Sequence, residues 1–260
     1  MNNPNDKKHN ILESEEHEKE LNPSAWIDRK SKELEEILNK GFSLLELGKY
    51  QEAIDMFNKV LEVNSKYREA LDAKSFALLK LGKYEEVIEE CNKLLEIDSK
   101  NQFALNRIGS CLAETEKLDE AIKTFDIVLE INPKNYSALI GKSLVFAGLE
   151  KNEEAIEICD KVLKIKPANL IALHTRGVAL VKLGKKEEAF KMYNKILEID
   201  PKNLYALNSM GYALIDSEKY KEALKIYNRV LEIDPQNQPA IYQQGIALLN
   251  LASKNRSYLK

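Results

Sequence analysis

The chain has 260 residues, with 39 basic and 42 acidic side chains and a formal net charge of −3. That balance leaves no surplus positive field for a phosphate backbone, so nucleic acid is not an expected partner. No run approaches the roughly 20 apolar residues needed to cross a bilayer, and the opening MNNPNDKKHNILESEE has no apolar segment of the signal-peptide kind, so the expectation is a cytoplasmic protein with no membrane partner.

Residues 1–21 mix Asn, Lys, Glu and His with little apolar content and cannot bury enough surface to offset the entropy of ordering, so they read as a disordered N-terminal tail. Asn22-Pro23 then supplies an N-cap and a proline at the first helical position, where its missing N–H costs nothing. Residues 22–33 read as a helical extension or cap that either runs on as one long element or breaks near Lys32, with Trp26 folding back to cover the exposed end of an array that begins at Leu34.

From Leu34 onward the chain repeats itself. FDIVLEINPKNYSAL from Phe125 returns as YNKILEIDPKNLYAL from Tyr193 and YNRVLEIDPQNQPAI from Tyr227, and weaker copies begin at Phe57, Cys91 and Cys159, each start 34 residues after the last. The frame divides into 34–67, 68–101, 102–135, 136–169, 170–203 and 204–237, then a capping helix at 238–251 and a C-terminal tail at 252–260. Each repeat carries two runs of helical period separated by a break such as LGKY at 47–50, so each reads as helix A, turn, helix B, with no strand signal. Position 8 is always small: Gly41, Ser75, Gly109, Ser143, Gly177 and Gly211. Position 20 is Ala53, Val87, Ala121, Ala155, Ala189 and Ala223, four residues before Phe57, Cys91, Phe125, Cys159, Tyr193 and Tyr227. Pro133, Pro167, Pro201 and Pro235 at position 32 stop helix B.

This pattern resembles the tetratricopeptide repeat, whose signature places small residues at positions 8 and 20, an aromatic at 24 and proline at 32. The resemblance covers residues 34 to about 251 and implies an all-α, right-handed superhelical solenoid with helix A lining the inner face. Departures from the family pattern are Ile or Leu at position 4 where Trp is usual, the cations Lys40, Lys74, Lys142 and Arg176 at position 7, and Ser65 and Ser99 in place of the proline.

The residues for a catalytic or metal site are missing. His9 and His17 fall in the tail, His174 has no second histidine or cysteine at ligand spacing, and there is no phosphate loop, Gly-x-Ser-x-Gly elbow or HExxH. Cys91, Cys111 and Cys159 are an odd, sparse set that reads as small buried apolar residues. No catalytic residue, metal or cofactor is expected, and the chain reads as a non-enzyme.

A partner would then sit on helix A. With positions 4, 8 and 11 facing the core, positions 2, 5, 9 and 12 face the groove at 100° per residue. They include Leu38, Phe42, Phe76, Phe103, Asn106, Leu144, Ile171, Tyr205, Asn208, Tyr212 and Tyr242, with His174 as a polar member and Arg107 beside them. One subset of the resembled family clamps the C-terminal carboxylate of heat-shock chaperones with Lys and Asn at fixed positions of consecutive repeats. No register fits that clamp here; the nearest offers Phe103 with Arg107 and lacks the lysine. The reading is a protein–protein interaction scaffold that binds a peptide segment or partner helix mainly by apolar and aromatic contact. The alternative is a self-associating accessory subunit of a larger assembly or enzyme complex, a homodimer formed through the last helix, where Ile246, Leu249 and Leu251 exceed the needs of the core.

Overall fold

The computed structural model describes residues 22–257; the expected tail at 1–21 lies outside the described residues. They form two compact blocks that divide between Thr115 and Glu116. The first block holds α1 (Pro23–Glu46), α2 (Tyr50–Val63), α3 (Arg68–Lys80), α4 (Tyr84–Ile97) and α5 (Gln102–Glu114). The second holds α6 (Leu118–Ile131), α7 (Tyr136–Gly148), α8 (Asn152–Ile165), α9 (Leu170–Lys182), α10 (Lys186–Ile199), α11 (Leu204–Asp216), α12 (Tyr220–Ile233) and α13 (Gln238–Ser257). Among the described residues there is no strand.

The first helix is one long element, and the last runs further than expected. Between Pro23 and Gly41 there is neither glycine nor proline to break the helix, so α1 runs on without interruption. Trp26 therefore sits in the first turn of a continuous helix, half-buried. At the other end the helical pattern continues past Leu251, and α13 extends to Ser257 through residues assigned to a tail.

Both kinds of turn are built by local chemistry repeated at the period. Each A helix whose exit is described ends on a left-handed residue at position 15: Gly48, Gly82 and Gly184 have φ of 71°, 71° and 76°, and Glu116, Glu150 and Glu218 have 60°, 58° and 56°. In the first repeat Lys49 N–H donates to the Leu44 carbonyl at 2.9 Å and Gly48 N–H to that of Leu45 at 3.0 Å, the paired bonds of a Schellman end, and Lys151 and Glu150 repeat the pattern onto Phe146 and Ala147.

In the opposite turn a side chain at position 31 folds the chain over. Asn64, Asp98, Asn132, Asp200 and Asp234 each accept from the backbone N–H two residues on. Three residues beyond, Asn101, Asn135, Asn169, Asn203 and Asn237 accept from the N–H of Ala104, Ala138, Ala172, Ala206 and Ala240 and so cap the next A helix. Helices α2 and α4, followed by Ser65 and Ser99, end at the same repeat position as the proline-stopped helices, because the side-chain turn acts where proline is absent.

The core explains the small residue at position 8. A Cβ added to Gly41, Gly177 or Gly211 would lie 2.5, 2.6 or 2.5 Å from the ring of Phe57, Tyr193 or Tyr227. Where position 24 is cysteine, at Cys91 and Cys159, position 8 is serine, at Ser75 and Ser143, and all four are fully buried. Ring with glycine and thiol with serine are two fillings of similar volume for one slot.

Three of the position-7 cations, Lys74, Lys142 and Arg176, find partners on a B helix. Arg176 on α9 pairs with Asp160 on α8 at 2.7 Å, and Lys142 on α7 pairs with Asp126 on α6. Lys74 on α3 pairs with Glu90 on α4 at 2.8 Å. In the second block α7 packs on α9, α9 on α11 and α11 on α13, whereas consecutive B helices make no comparable contact. Closer spacing of the A helices makes their outward face the concave side of this block.

Candidate protein-interaction site

The core stripe of each A helix fixes which side chains remain outside. Phe103 on α5, Tyr205 and Tyr212 on α11 and Tyr242 on α13 are 81%, 78%, 55% and 69% exposed, far more than rings that serve packing. Leu144 on α7 and Ile171 on α9 are also exposed.

The remaining residues named from sequence are held less freely. In the first block Leu38 is buried, so it belongs to the core and not to the groove. Phe42 lies edge-on to Phe57 with ring centroids 5.6 Å apart, and Phe76 carries the Lys80 ammonium 5.2 Å over its ring. Asn106 donates through Nδ2 to the Gln102 carbonyl at 2.8 Å. Arg107 is turned inward: its guanidinium holds the Asp72 carboxylate at 2.6 Å and the Ser75 hydroxyl, which ties α5 to α3. A partner would have to compete with those bonds.

In the second block His174 and Tyr205 come together with residues that the repeat pattern alone assigned to packing. His174 Nε2 lies 2.9 Å from the Ser209 hydroxyl, and its ring centroid is 6.2 Å from those of Tyr193 and Tyr205. Burial disfavours the charged imidazole and lowers its pKa. Burial raises the pKa of Tyr193, with the Ser209 hydroxyl as a smaller opposing influence. Asn208 donates through Nδ2 to the Leu204 carbonyl at 2.9 Å.

A cavity of about 510 Å³ opens between α9, α11 and α13, with Asn208, Tyr212 and Tyr227 among its walls. Sequence reasoning placed Tyr227 in the core and missed its hydroxyl. The available signal was tyrosine at 193 and 227 where the first and third repeats carry Phe57 and Phe125.

Among the described residues no group of histidine, cysteine and carboxylate side chains is placed to hold a metal. Burial pushes the thiol of Cys111 up to about 12 and that of Cys159 up to about 11, which leaves both poor nucleophiles at neutral pH. No described helix is long and apolar enough to cross a membrane.

The family model described as the N-terminal TPR repeats region of Psidin matches residues 38–142 and again 145–253. A solved tetratricopeptide repeat protein from Parabacteroides merdae ATCC 43184 is similar over 88% of this chain and 90% of its own, at 17% identity and a TM-score of 0.73. PilF of Pseudomonas aeruginosa is similar over 83% of this chain and 98% of its own, at 19% identity and a TM-score of 0.68. YrrB, described as a TPR protein with an unusual peptide-binding site, is similar over 73% of this chain and 97% of its own, at 21% identity and a TM-score of 0.58. No curated protein matches the chain. The structural likenesses, at these identities, show a common fold. With its 34-residue period, its paired helices and a family model matched twice along its length, the chain belongs to the tetratricopeptide-repeat family.

Proposed function

We propose that the chain is a non-enzymatic, cytoplasmic scaffold whose A-helix faces dock a peptide segment or a helix of a partner protein, mainly by apolar and aromatic contact. The exposure of Phe103, Tyr205, Tyr212 and Tyr242 carries this reading, since a face with no partner gains nothing from presenting large rings to water. Such rings bury much area with few rotors to immobilise.

The test is capture from native lysate by the wild-type chain and by the double variant Tyr205→Ala/Tyr212→Ala. The double variant should lose about 2–4 kcal/mol of affinity with its helicity intact. Raising salt from about 50 to about 500 mM should weaken wild-type capture by well under tenfold, because contacts of this kind depend little on charge. Equal capture by the variant contradicts the reading.

A second reading has its own observation. Leu248 and Leu249 on α13 are exposed, and self-association through them would make the chain an accessory subunit of a larger assembly. Light scattering would then give a dimer that Leu249→Glu reduces to a monomer, and a wild-type monomer at working concentration rejects it.

A further inference from the structure

Among the described residues, α13 is an A helix with no B helix of its own repeat against it; it packs on α12 and α11. Ile241, Gly245 and Leu248 stand at its repeat positions 4, 8 and 11, the stripe that faces the core in earlier repeats. There the stripe is covered: Leu173 and Leu180 pack with Ala189, Tyr193 and Ile196, and Leu207 and Leu214 pack with Ala223, Tyr227 and Val230. On α13 it is open. Ile241 is 43% and Leu248 53% exposed, where Leu207 and Leu214 one period earlier are buried.

Gly245 marks the seat. A Cβ added to Gly177 or Gly211 would lie 2.6 or 2.5 Å from the ring of Tyr193 or Tyr227, whereas one added to Gly245 would meet nothing within 4 Å. The space that a ring takes in the two preceding repeats is therefore open beside α13. From Gln238 to Leu251 the helix carries no charged side chain, so this face offers apolar contact and shape rather than charge. The array has already made this interface, and its other half is on display in α10 and α12. Each is a helix of 14 residues with alanine, tyrosine four residues later and an aliphatic residue three beyond that: Ala189, Tyr193 and Ile196, then Ala223, Tyr227 and Val230.

We propose that the face of α13 formed by Ile241, Gly245 and Leu248 takes an amphipathic helix of a partner protein, which completes the last repeat as its B helix. That helix carries a small residue, a ring four residues later and an aliphatic residue three beyond the ring. The ring lies over Gly245 between Ile241 and Leu248, and the small residue lets the two backbones approach. A second copy of this chain is a poorer occupant. Its rings at position 24, Phe57, Phe125, Tyr193 and Tyr227, are buried in their own repeats, and on its α13 the residue four before Tyr242 is Gln238, which is not small. The face is separate from the exposed rings at positions 2, 5 and 9, so the inference goes beyond docking in the groove.

The probe is a synthetic peptide with the sequence of α12, residues 220–233, held helical by a side-chain bridge between its exposed positions 221 and 225, because a free helix of 14 residues is marginal in water. Added to the full chain and followed by fluorescence anisotropy, it should bind saturably with a dissociation constant of roughly 10–100 μM, and the same peptide with Tyr227→Ala should bind about tenfold more weakly or worse. In the protein, Gly245→Ala places a Cβ where the incoming ring lies and raises helix propensity. That variant should melt no lower than wild type while weakening the peptide about fivefold or more. Absence of saturable binding, equal binding of the peptide without its ring, or undiminished binding by the Gly245→Ala chain would each overturn the proposal. So would a wild-type dimer in light scattering that Leu248→Glu dissolves, since a second copy would then hold the face. Docking through Tyr205 and Tyr212 uses other residues and stands or falls by its own test.

Discussion

Gly41 and Phe57 fill the slot between helices A and B in the first repeat that Ser75 and Cys91 fill in the second. Exchange of one partner alone should therefore be costly and exchange of both much less so. Gly41→Ser forces an atom into the Phe57 ring and should cost about 1–3 kcal/mol. Phe57→Cys empties a buried seat and should cost about 3–4 kcal/mol. In the double variant the two losses should fall short of their sum by about 1–3 kcal/mol in denaturant melts, as expected for residues in contact. Strict additivity would mean that the pairing has no energetic content. Glu116 lies in the same class of local decision: at φ 60° a side chain is strained and glycine is not, so Glu116→Gly should stabilise by about 0.5–1 kcal/mol.

His174 gives a pH dependence of definite sign. Its folded pKa is lowered by burial from 6.5, so between that depressed value and 6.5 the unfolded chain binds more protons than the native one. The stability is fully present above 6.5 and is lost as pH falls through the folded pKa. The melting temperature of wild type relative to His174→Asn should therefore decline as pH is taken from about 7.5 to about 5. A difference that is flat over that range contradicts the neutral, buried imidazole.

At the scale of the helix, the caps decide where each element begins. Asn169→Ala removes the side chain that accepts from Ala172 N–H at 2.9 Å and should cost about 1 kcal/mol, with hydrogen exchange rising first in the opening turn of α9. Helix existence and period were legible because apolar spacing records which face is buried. The turn chemistry was legible in part: proline at position 32 was read as the stop, but the Asx side chain before it and the asparagine after it form the turn. The position-7 cations looked like departures from the family pattern, and their role required knowing that Asp126 and Asp160 lie across from Lys142 and Arg176. Leu38 shows the limit of a groove assignment by angle, since a residue on the groove side of its helix is buried by its neighbours. Tyr227 shows the other limit. A ring at position 24 reads as core, and only the packing around it shows that its hydroxyl is buried without a hydrogen-bond partner.

Within each block, each helix packs chiefly on its neighbours in the chain, so damage should begin locally. Ala155→Asp, which puts a carboxylate at a fully buried position on α8, should cost several kcal/mol, roughly the desolvation of an unpaired charge, with protection lost first in α7 and α8. The same architecture separates two roles. Core positions hold helix A against helix B, and the exposed ring positions remain available to a partner, so the central claim concerns which face is used. A photo-crosslinking residue placed at Tyr205 on the A-helix face, and in a second protein at the exposed Lys191 on the B helix α10, tests it in native lysate. The account predicts efficient crosslinking of one partner from position 205, competed by unlabelled wild-type chain, and little from position 191. Equal or stronger crosslinking of that partner from position 191 would contradict it.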